Sequence, residues 1–125
     1  MKAAPRISQA EWEVMKAVWK QPSASAQDIV DSLAHGSDWT PATIKTLLSR
    51  LVRKGVLQFE KQGKAYLYSA VYTEKECQAA EADSFLKRIF DGSLGPLMAH
   101  FVESRKLTAR ELDELEQLIK QRRKK

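Results

Sequence analysis

The chain has 125 residues with a net charge of +5, and its 43% hydrophobic and 30% charged residues exclude a wholly disordered polypeptide. No apolar stretch is long enough for a transmembrane helix, and the first residues lack the apolar run of a signal peptide. We therefore expect a cytoplasmic protein with no membrane partner, and the single cysteine, Cys77, fits a reducing compartment.

Helix starts are marked by capping boxes, in which a hydroxyl binds the backbone amide three residues later and the acid at that position binds back. Four pairs have this spacing: Ser8 with Glu11, Ser25 with Asp28, Thr73 with Glu76, and Thr108 with Glu111. Thr40 followed by Pro41 marks a further start, because proline at the first helical position loses no hydrogen bond that the helix needs.

The N-terminal part of the chain has the element order of a winged helix-turn-helix. Helices are predicted over residues 8–20, 25–35 and 40–54. Two runs of β-forming residues, 56–61 and 65–69, then flank Gln62-Gly63, which fits the tip of a hairpin. The predicted fold class is therefore mostly α (α+β), with residues 1–72 as a winged helix-turn-helix DNA-binding domain.

The C-terminal part is predicted to be purely helical, over residues 73–91, 94–103 and 108–121. About 50 residues are near the size at which a lone core becomes marginal, yet apolar positions are numerous here. We therefore expect residues 73–125 to be a three-helix dimerisation region with a basic C-terminal tail, covered by a second copy of the chain. The expected dimer contacts are Phe85, Ile89, Leu97, Phe101, Leu112, Leu115, Leu118 and Ile119.

The net charge is unevenly distributed along these parts. Residues 1–72 carry +4, residues 73–119 carry −4 and the last six residues carry +5. The window 40–64 alone carries +5, with Glu60 as its one acid. A basic N-terminal part followed by an acidic C-terminal part is expected when the first part binds nucleic acid.

The polar face of the third predicted helix favours double-stranded DNA as the partner. Short hydroxyls near its start allow close approach to base edges, and Arg50 can reach guanine or phosphate. The predicted contacts are Thr43, Lys45, Thr46, Ser49, Arg50 and Arg53 on this helix, with Lys61 and Lys64 on the hairpin. The alternative interpretations are a solvated basic helix face and an ordinary exposed turn. Trp12, Trp19 and Trp39 are predicted to be core and interface aromatics rather than base-stacking groups.

Four segments resemble the BlaI/MecI/CopY family of penicillinase repressors, in the same order through almost the whole chain. They are ISQAEWEVMKAVWK, WTPATIKTLLSRLVRKGVL, KQGKAYLYS and SFLKRIFDGSLGPLMAHFVE. The resemblance implies a homodimeric repressor that binds an inverted-repeat operator and blocks transcription of resistance or efflux genes. It also adds Thr40 to the expected DNA contacts. A palindromic operator would match the two-fold symmetry of the dimer.

The resemblance also bears on how the repressor is released. The copper-responsive branch carries paired Cys-x-Cys motifs, whereas this chain has only Cys77, interpreted as a small buried hydrophobe, so we expect no metal site and no cofactor. In the antibiotic-responsive branch, an inducer-activated, membrane-linked protease cuts an Asn-Phe bond inside a C-terminal helix. The matching position here is His100-Phe101, and proteolytic release at this bond is a hypothesis for this chain.

No glycine-rich phosphate loop, metal-spaced cluster or nucleophile–base motif occurs in the sequence, so we predict that the protein is not an enzyme. Two other functions stay open: a winged-helix module that binds protein, and a transcriptional activator on the same scaffold. A protein-binding module would lose little affinity as salt rises, whereas several phosphate contacts predict a loss of orders of magnitude.

Overall fold

The computed structural model describes residues 4–34, 36 and 38–124. Within them lie six helices and three short strands, as the predicted mostly helical class requires. Their bounds are α1 Gln9–Lys20, β1 Ala24–Ser25, α2 Ala26–Leu33, α3 Pro41–Arg53, β2 Leu57–Gln62, β3 Ala65–Ala70, α4 Glu74–Phe90, α5 Leu94–Glu103 and α6 Ala109–Arg123. Each predicted helix is confirmed to within two residues at both ends, although the predicted end of the second helix, His35, lies outside the described residues.

The helix caps explain why the helices begin where they do. In all four predicted capping boxes the hydroxyl accepts from the backbone amide and the acid accepts from the cap amide, at distances of 2.7–3.1 Å. Thr40 caps α3 by accepting from the Thr43 amide at 3.2 Å, and Pro41 occupies the first turn. The local sequence therefore determines the starting residue of the helix that is predicted to bind DNA.

The three strands form an antiparallel sheet in the order β1-β3-β2. Strand β1, which was not predicted, pairs only through Ala24 with Tyr68 and Ser25 with Leu67. The predicted hairpin is confirmed, and Gly63 at its turn has a φ of 63°, a conformation that favours glycine. This part of the chain therefore has the winged helix-turn-helix fold, with β1 as a short third strand of its sheet.

The buried core lies in the N-terminal part and includes the inner face of α3. Ile44, Leu47, Leu48 and Leu51 are buried, as the sequence predicts. Cys77 is also buried, which confirms its interpretation as a small hydrophobe, and burial raises the pKa of its thiol. The three tryptophans are partly buried and pack against this core. Because the core holds the inner face of α3, the opposite face of that helix is left exposed.

The chain divides into two compact units, and the boundary in the chain falls between Ala82 and Asp83, inside α4. We call them the N-terminal and the C-terminal unit. The functional boundary predicted after residue 72 stays a prediction. Among the described residues, no helix has both the length and the apolar character needed to cross a membrane, and no three His, Cys, Asp or Glu side chains cluster as metal ligands would.

Candidate nucleic-acid interface

The first turns of α3 present hydroxyls whose orientations the helix itself sets. The Thr40 hydroxyl lies 3.1 Å from the Thr43 hydroxyl, and the Thr46 hydroxyl donates to the Ala42 carbonyl at 3.0 Å. All three threonines remain exposed. Since Thr46 has used its one hydrogen, it presents acceptor lone pairs to a partner, which suit the amino groups of adenine or cytosine.

The rest of this face consists of three basic side chains and one serine. Lys45, Ser49, Arg50 and Arg53 are all exposed, and α3 contains no acid. Over the part of the chain that the structure describes, no ion pair engages Lys45, Arg50 or Arg53. These three charges are therefore available to an external anion.

The lysines of the hairpin are exposed near its tip. Lys61 pairs with Tyr66 across the hairpin and Lys64 lies in the turn, and both are exposed. A cleft of about 380 Å³ separates the hairpin from the C-terminal half of α3. Its lining residues are Ser49, Val52, Arg53, Phe59, Tyr66 and Tyr68. Two of the predicted helix contacts, Ser49 and Arg53, thus lie next to the hairpin.

One charge of the basic window is not available for binding. The Lys54 ammonium donates to Glu11 Oε1 at 2.6 Å and to the Arg6 carbonyl at 3.4 Å. Glu11 is only 1% exposed, and the same oxygen accepts from the Ser8 amide at 2.7 Å. Burial by itself raises the pKa of Glu11, but the hydrogen bonds from Lys54 and Ser8 outweigh it and leave the pKa below its ordinary value. Lys54 therefore neutralises an acid inside the fold.

A family model described as "Penicillinase repressor" matches residues 7–121. The chain belongs to the penicillinase repressor family. The penicillinase repressor of Bacillus licheniformis is 36% identical over 121 residues, which cover 97% of this chain and 94% of that protein. The methicillin resistance regulatory protein MecI of Staphylococcus aureus (strain N315) is 34% identical over 113 residues, which cover 90% of this chain and 92% of MecI.

Among solved structures, this penicillinase repressor family member is similar to the monomeric form of Bacillus licheniformis BlaI, solved in complex with the blaP half-operator. The identity is 41% and the TM-score 0.54, over 61% of this chain and 93% of that one. The DNA-binding domain of the repressor BlaI, solved separately, matches equally well. The family relationship and the winged-helix fold therefore agree with the resemblance seen in the sequence.

The C-terminal unit of this family member exposes most of the predicted dimer contacts. None of residues 83–124 is buried in the single chain. The exposed ones among the predicted contacts are Phe85, Ile89, Phe101, Leu112, Leu118 and Ile119, while Leu97 and Leu115 are half-buried. His100 and Phe101 are exposed near the end of α5, with ring centroids 5.5 Å apart, and the His100 carbonyl accepts from the Ser104 amide at 3.0 Å.

Two features of the N-terminal unit are not indicated by the sequence. The Glu11–Lys54 pair joins residues 43 positions apart, and no local pattern indicates it. The sequence indicates Phe59 and Tyr66 only as β-forming residues, yet they are 50% and 46% exposed in the cleft beside α3. No local signal indicates this second feature, because the exposure of the two rings depends on where α3 ends relative to the hairpin.

Proposed function

We propose that the protein is a homodimeric transcriptional repressor that binds an inverted-repeat operator through α3 and the β2–β3 hairpin. The observation that carries this proposal is the exposed, acid-free face of α3, next to a hairpin whose two lysines are also exposed. The similarity to BlaI, whose solved structure contains a half-operator, supports DNA as the partner. Such a repressor acts where chromosomal DNA is, in the cytoplasm.

The α3 face has the chemistry for major-groove binding. Arg50 can donate two hydrogen bonds to one guanine edge, and the acceptor-only hydroxyl of Thr46 suits a base amino group. The exposed Lys45, Arg53, Lys61 and Lys64 supply charge for the phosphates, which fixes the register of the helix without selecting bases. The remaining predicted contacts, Thr40, Thr43 and Ser49, border the same face.

A second copy of the chain is the partner that we propose for the C-terminal unit. Leu118 is 63% exposed and Ile89 57% exposed, and a unit without one buried side chain among residues 83–124 gains its core by association. In a two-fold dimer the same patch meets itself, and the two α3 helices occupy successive major-groove faces about 34 Å apart. Bound over a promoter, the dimer would exclude polymerase.

Release follows from weakening the dimer, because each half-site alone binds without the gain from the tethered second site. We propose cleavage of the His100-Phe101 bond by an inducer-activated protease as the route. This bond lies in α5, and the His100 carbonyl is held by the Ser104 amide, so the helix must open locally before a protease can bind the segment. Cleavage would separate α6 and its exposed apolar residues from the rest of the chain.

Salt titration of DNA binding separates the proposed function from a protein-binding module. Fluorescence anisotropy would measure the affinity of the purified dimer for DNA from its own upstream region between about 50 and about 200 mM salt. Several phosphate contacts predict a loss of at least about 100-fold over that range, and weak binding without salt dependence would contradict the proposal. A reporter gene distinguishes the repressor from a transcriptional activator, because deleting a repressor raises expression of the target gene and deleting an activator lowers it.

A further inference from the structure

The cleft between α3 and the hairpin exposes an aromatic cluster. Phe59 packs edge-on against Tyr66, with ring centroids 5.2 Å apart, and lies 5.9 Å from the Tyr68 ring. Phe59 is 50% and Tyr66 46% exposed, although both contact other aromatic rings. Large apolar side chains held together on the surface of a small unit mark a binding surface more often than single exposed ones do.

Strand register explains how the cluster comes to face α3. Phe59 pairs with Tyr68, and Lys61 with Tyr66, so these four side chains share one face of the hairpin with Leu57. Leu57 is buried in the core, whereas exposure increases toward the tip. The hairpin therefore extends the core-facing side of the sheet past the core, and its outer half stays exposed among the described residues of the N-terminal unit.

The chemistry of the cleft combines apolar and cationic groups. Arg53 and Ser49 line its helical side, and Lys61 lies next to Tyr66 on the hairpin side. The one acid of the hairpin, Glu60, pairs with Leu67 and so lies on the opposite face. An occupant with apolar edges and negative charges on either side suits this arrangement. The sugar-phosphate backbone of DNA, with its apolar deoxyribose and flanking phosphates, has that composition.

We propose that this cleft holds the backbone of one DNA strand, with Phe59 and Tyr66 packed against deoxyribose and with Arg53 and Lys61 on the phosphates at either side. The proposal depends on the proposed function, because it takes α3 to lie in the major groove. Ser49 and Arg53 belong both to the exposed face of α3 and to the cleft wall, so the strand that borders the groove would pass between the helix and the hairpin.

Sugar contacts and phosphate contacts differ in their dependence on salt. Packing against deoxyribose releases no counterion, so its loss lowers the affinity without changing the slope of log affinity against log salt. Because every nucleotide has the same sugar, the loss is equal for operator and random DNA. Replacing Arg53 removes a phosphate contact and reduces the slope by about 1.

The test compares Tyr66→Ala and Phe59→Ala with Tyr66→Phe, which keeps the ring, in the full-length dimer. Val71→Ala is the matched control, since Val71 is also apolar and 46% exposed in the N-terminal unit but does not line this cleft. We expect each ring deletion to lower the affinity about 10-fold for both operator and random DNA at unchanged salt slope. Tyr66→Phe and Val71→Ala should bind as the wild type does.

Hydroxyl-radical footprinting, which reports the exposure of each deoxyribose, locates the contact. In Tyr66→Ala the sugars next to the hairpin should become cleavable while the other protections persist. An unfolded variant would lose every protection, so a folding defect is recognisable. Wild-type affinity and an unchanged footprint in both ring deletions, with a steep salt dependence in the wild type, would overturn the cleft proposal alone. A wild type that fails to bind DNA would overturn the proposed function as well.

Discussion

Lys54, the residue that follows α3, donates a 2.6 Å hydrogen bond from its ammonium to the carboxylate of Glu11 near the start of α1. The carboxylate is almost completely buried, while the Lys54 side chain is 39% exposed. The contact therefore fixes the C-terminal end of the proposed recognition helix to the first helix of the fold. This contact positions α3, whereas the residues proposed to contact DNA are other residues on the exposed face of the helix.

Glu11→Gln should lower the free energy of unfolding by about 1–3 kcal/mol, because the amide keeps the shape of the side chain but removes the charge that holds Lys54. Glu13→Gln is the control, since Glu13 forms an exposed ion pair with Lys16 and should change the stability by less than about 0.5 kcal/mol. Chemical denaturation of the two variants measures both values. Equal stabilities would show that the buried pair contributes no more than the surface pair.

The stability contributed by Glu11 should depend on pH. Its pKa is lower in the fold than the ordinary value of 4.5, so the contribution is fully present above that value and is lost as the pH falls through the folded-state pKa. Denaturation between about pH 3 and about pH 7 should therefore show the wild type losing more stability than Glu11→Gln does, with the two curves converging in acid. The pKa of Glu111 is also lowered, by its hydrogen bonds to Thr108. Glu111 is present in both proteins, so it does not affect the difference between them. A difference in stability between the two proteins that stays constant with pH would contradict this contribution of Glu11.

Arg50→Ala should weaken operator binding by about 1–3 kcal/mol and reduce the salt slope by up to about 1, without changing the thermal stability. The reason is that Arg50 is exposed and makes no ion pair among the described residues. Lys75→Ala, an exposed charge deletion on α4, should leave both quantities unchanged. Anisotropy titrations against salt and a melting curve make the comparison. Wild-type affinity in Arg50→Ala would remove α3 from the proposed interface.

Leu118→Ser should weaken dimerisation at least about 10-fold. Burying one leucine side chain contributes about 1.5–3 kcal/mol, and a two-fold dimer buries Leu118 from both chains. Leu118 is a better probe than Leu115, which is half-buried within the single chain. Gln121→Ser on the same helix controls for the lower helix propensity of serine. Sedimentation equilibrium gives the dimer affinity, and binding to full and half operators follows it. If Leu118→Ser is monomeric but binds the full operator as tightly as the wild type does, operator binding does not depend on dimerisation.

Proteolytic release predicts that the chain is cut inside α5 when the target gene is induced. Immunoblotting of induced cells should show two fragments, and mass spectrometry should find a new amino terminus at Phe101. The control is the same culture without inducer, in which the chain stays whole. An intact chain while the target gene is switched on would contradict cleavage and leave the other parts of the proposal standing.

Local signals in the sequence predicted the helices and the hairpin because each depends on neighbouring residues. The Ser8–Glu11 box and the Thr40-Pro41 start operate over three residues or fewer, and both appear in the structure as predicted. Strand β1 could not be predicted in this way. It has two residues, and its only partners are Tyr68 and Leu67, more than 40 positions later.

The candidate interface was predictable in part for a related reason. Helical periodicity separates Ile44 and Leu48 from the polar face, so the sequence indicates which α3 residues are exposed. It does not indicate that Lys54 pairs with Glu11, 43 positions earlier, nor that Phe59 and Tyr66 stay uncovered beside the helix. Both features depend on where α3 ends relative to residues distant in sequence, which only the folded chain defines.

The proposed function requires that two copies of α3 bind the two halves of an inverted repeat. Footprinting of the purified dimer on the region upstream of its own gene tests it most directly. We expect two protected half-sites related by two-fold symmetry, with centres about 10 base pairs or a multiple of that apart. The absence of any protected site, or a single protected site without symmetry, would contradict it.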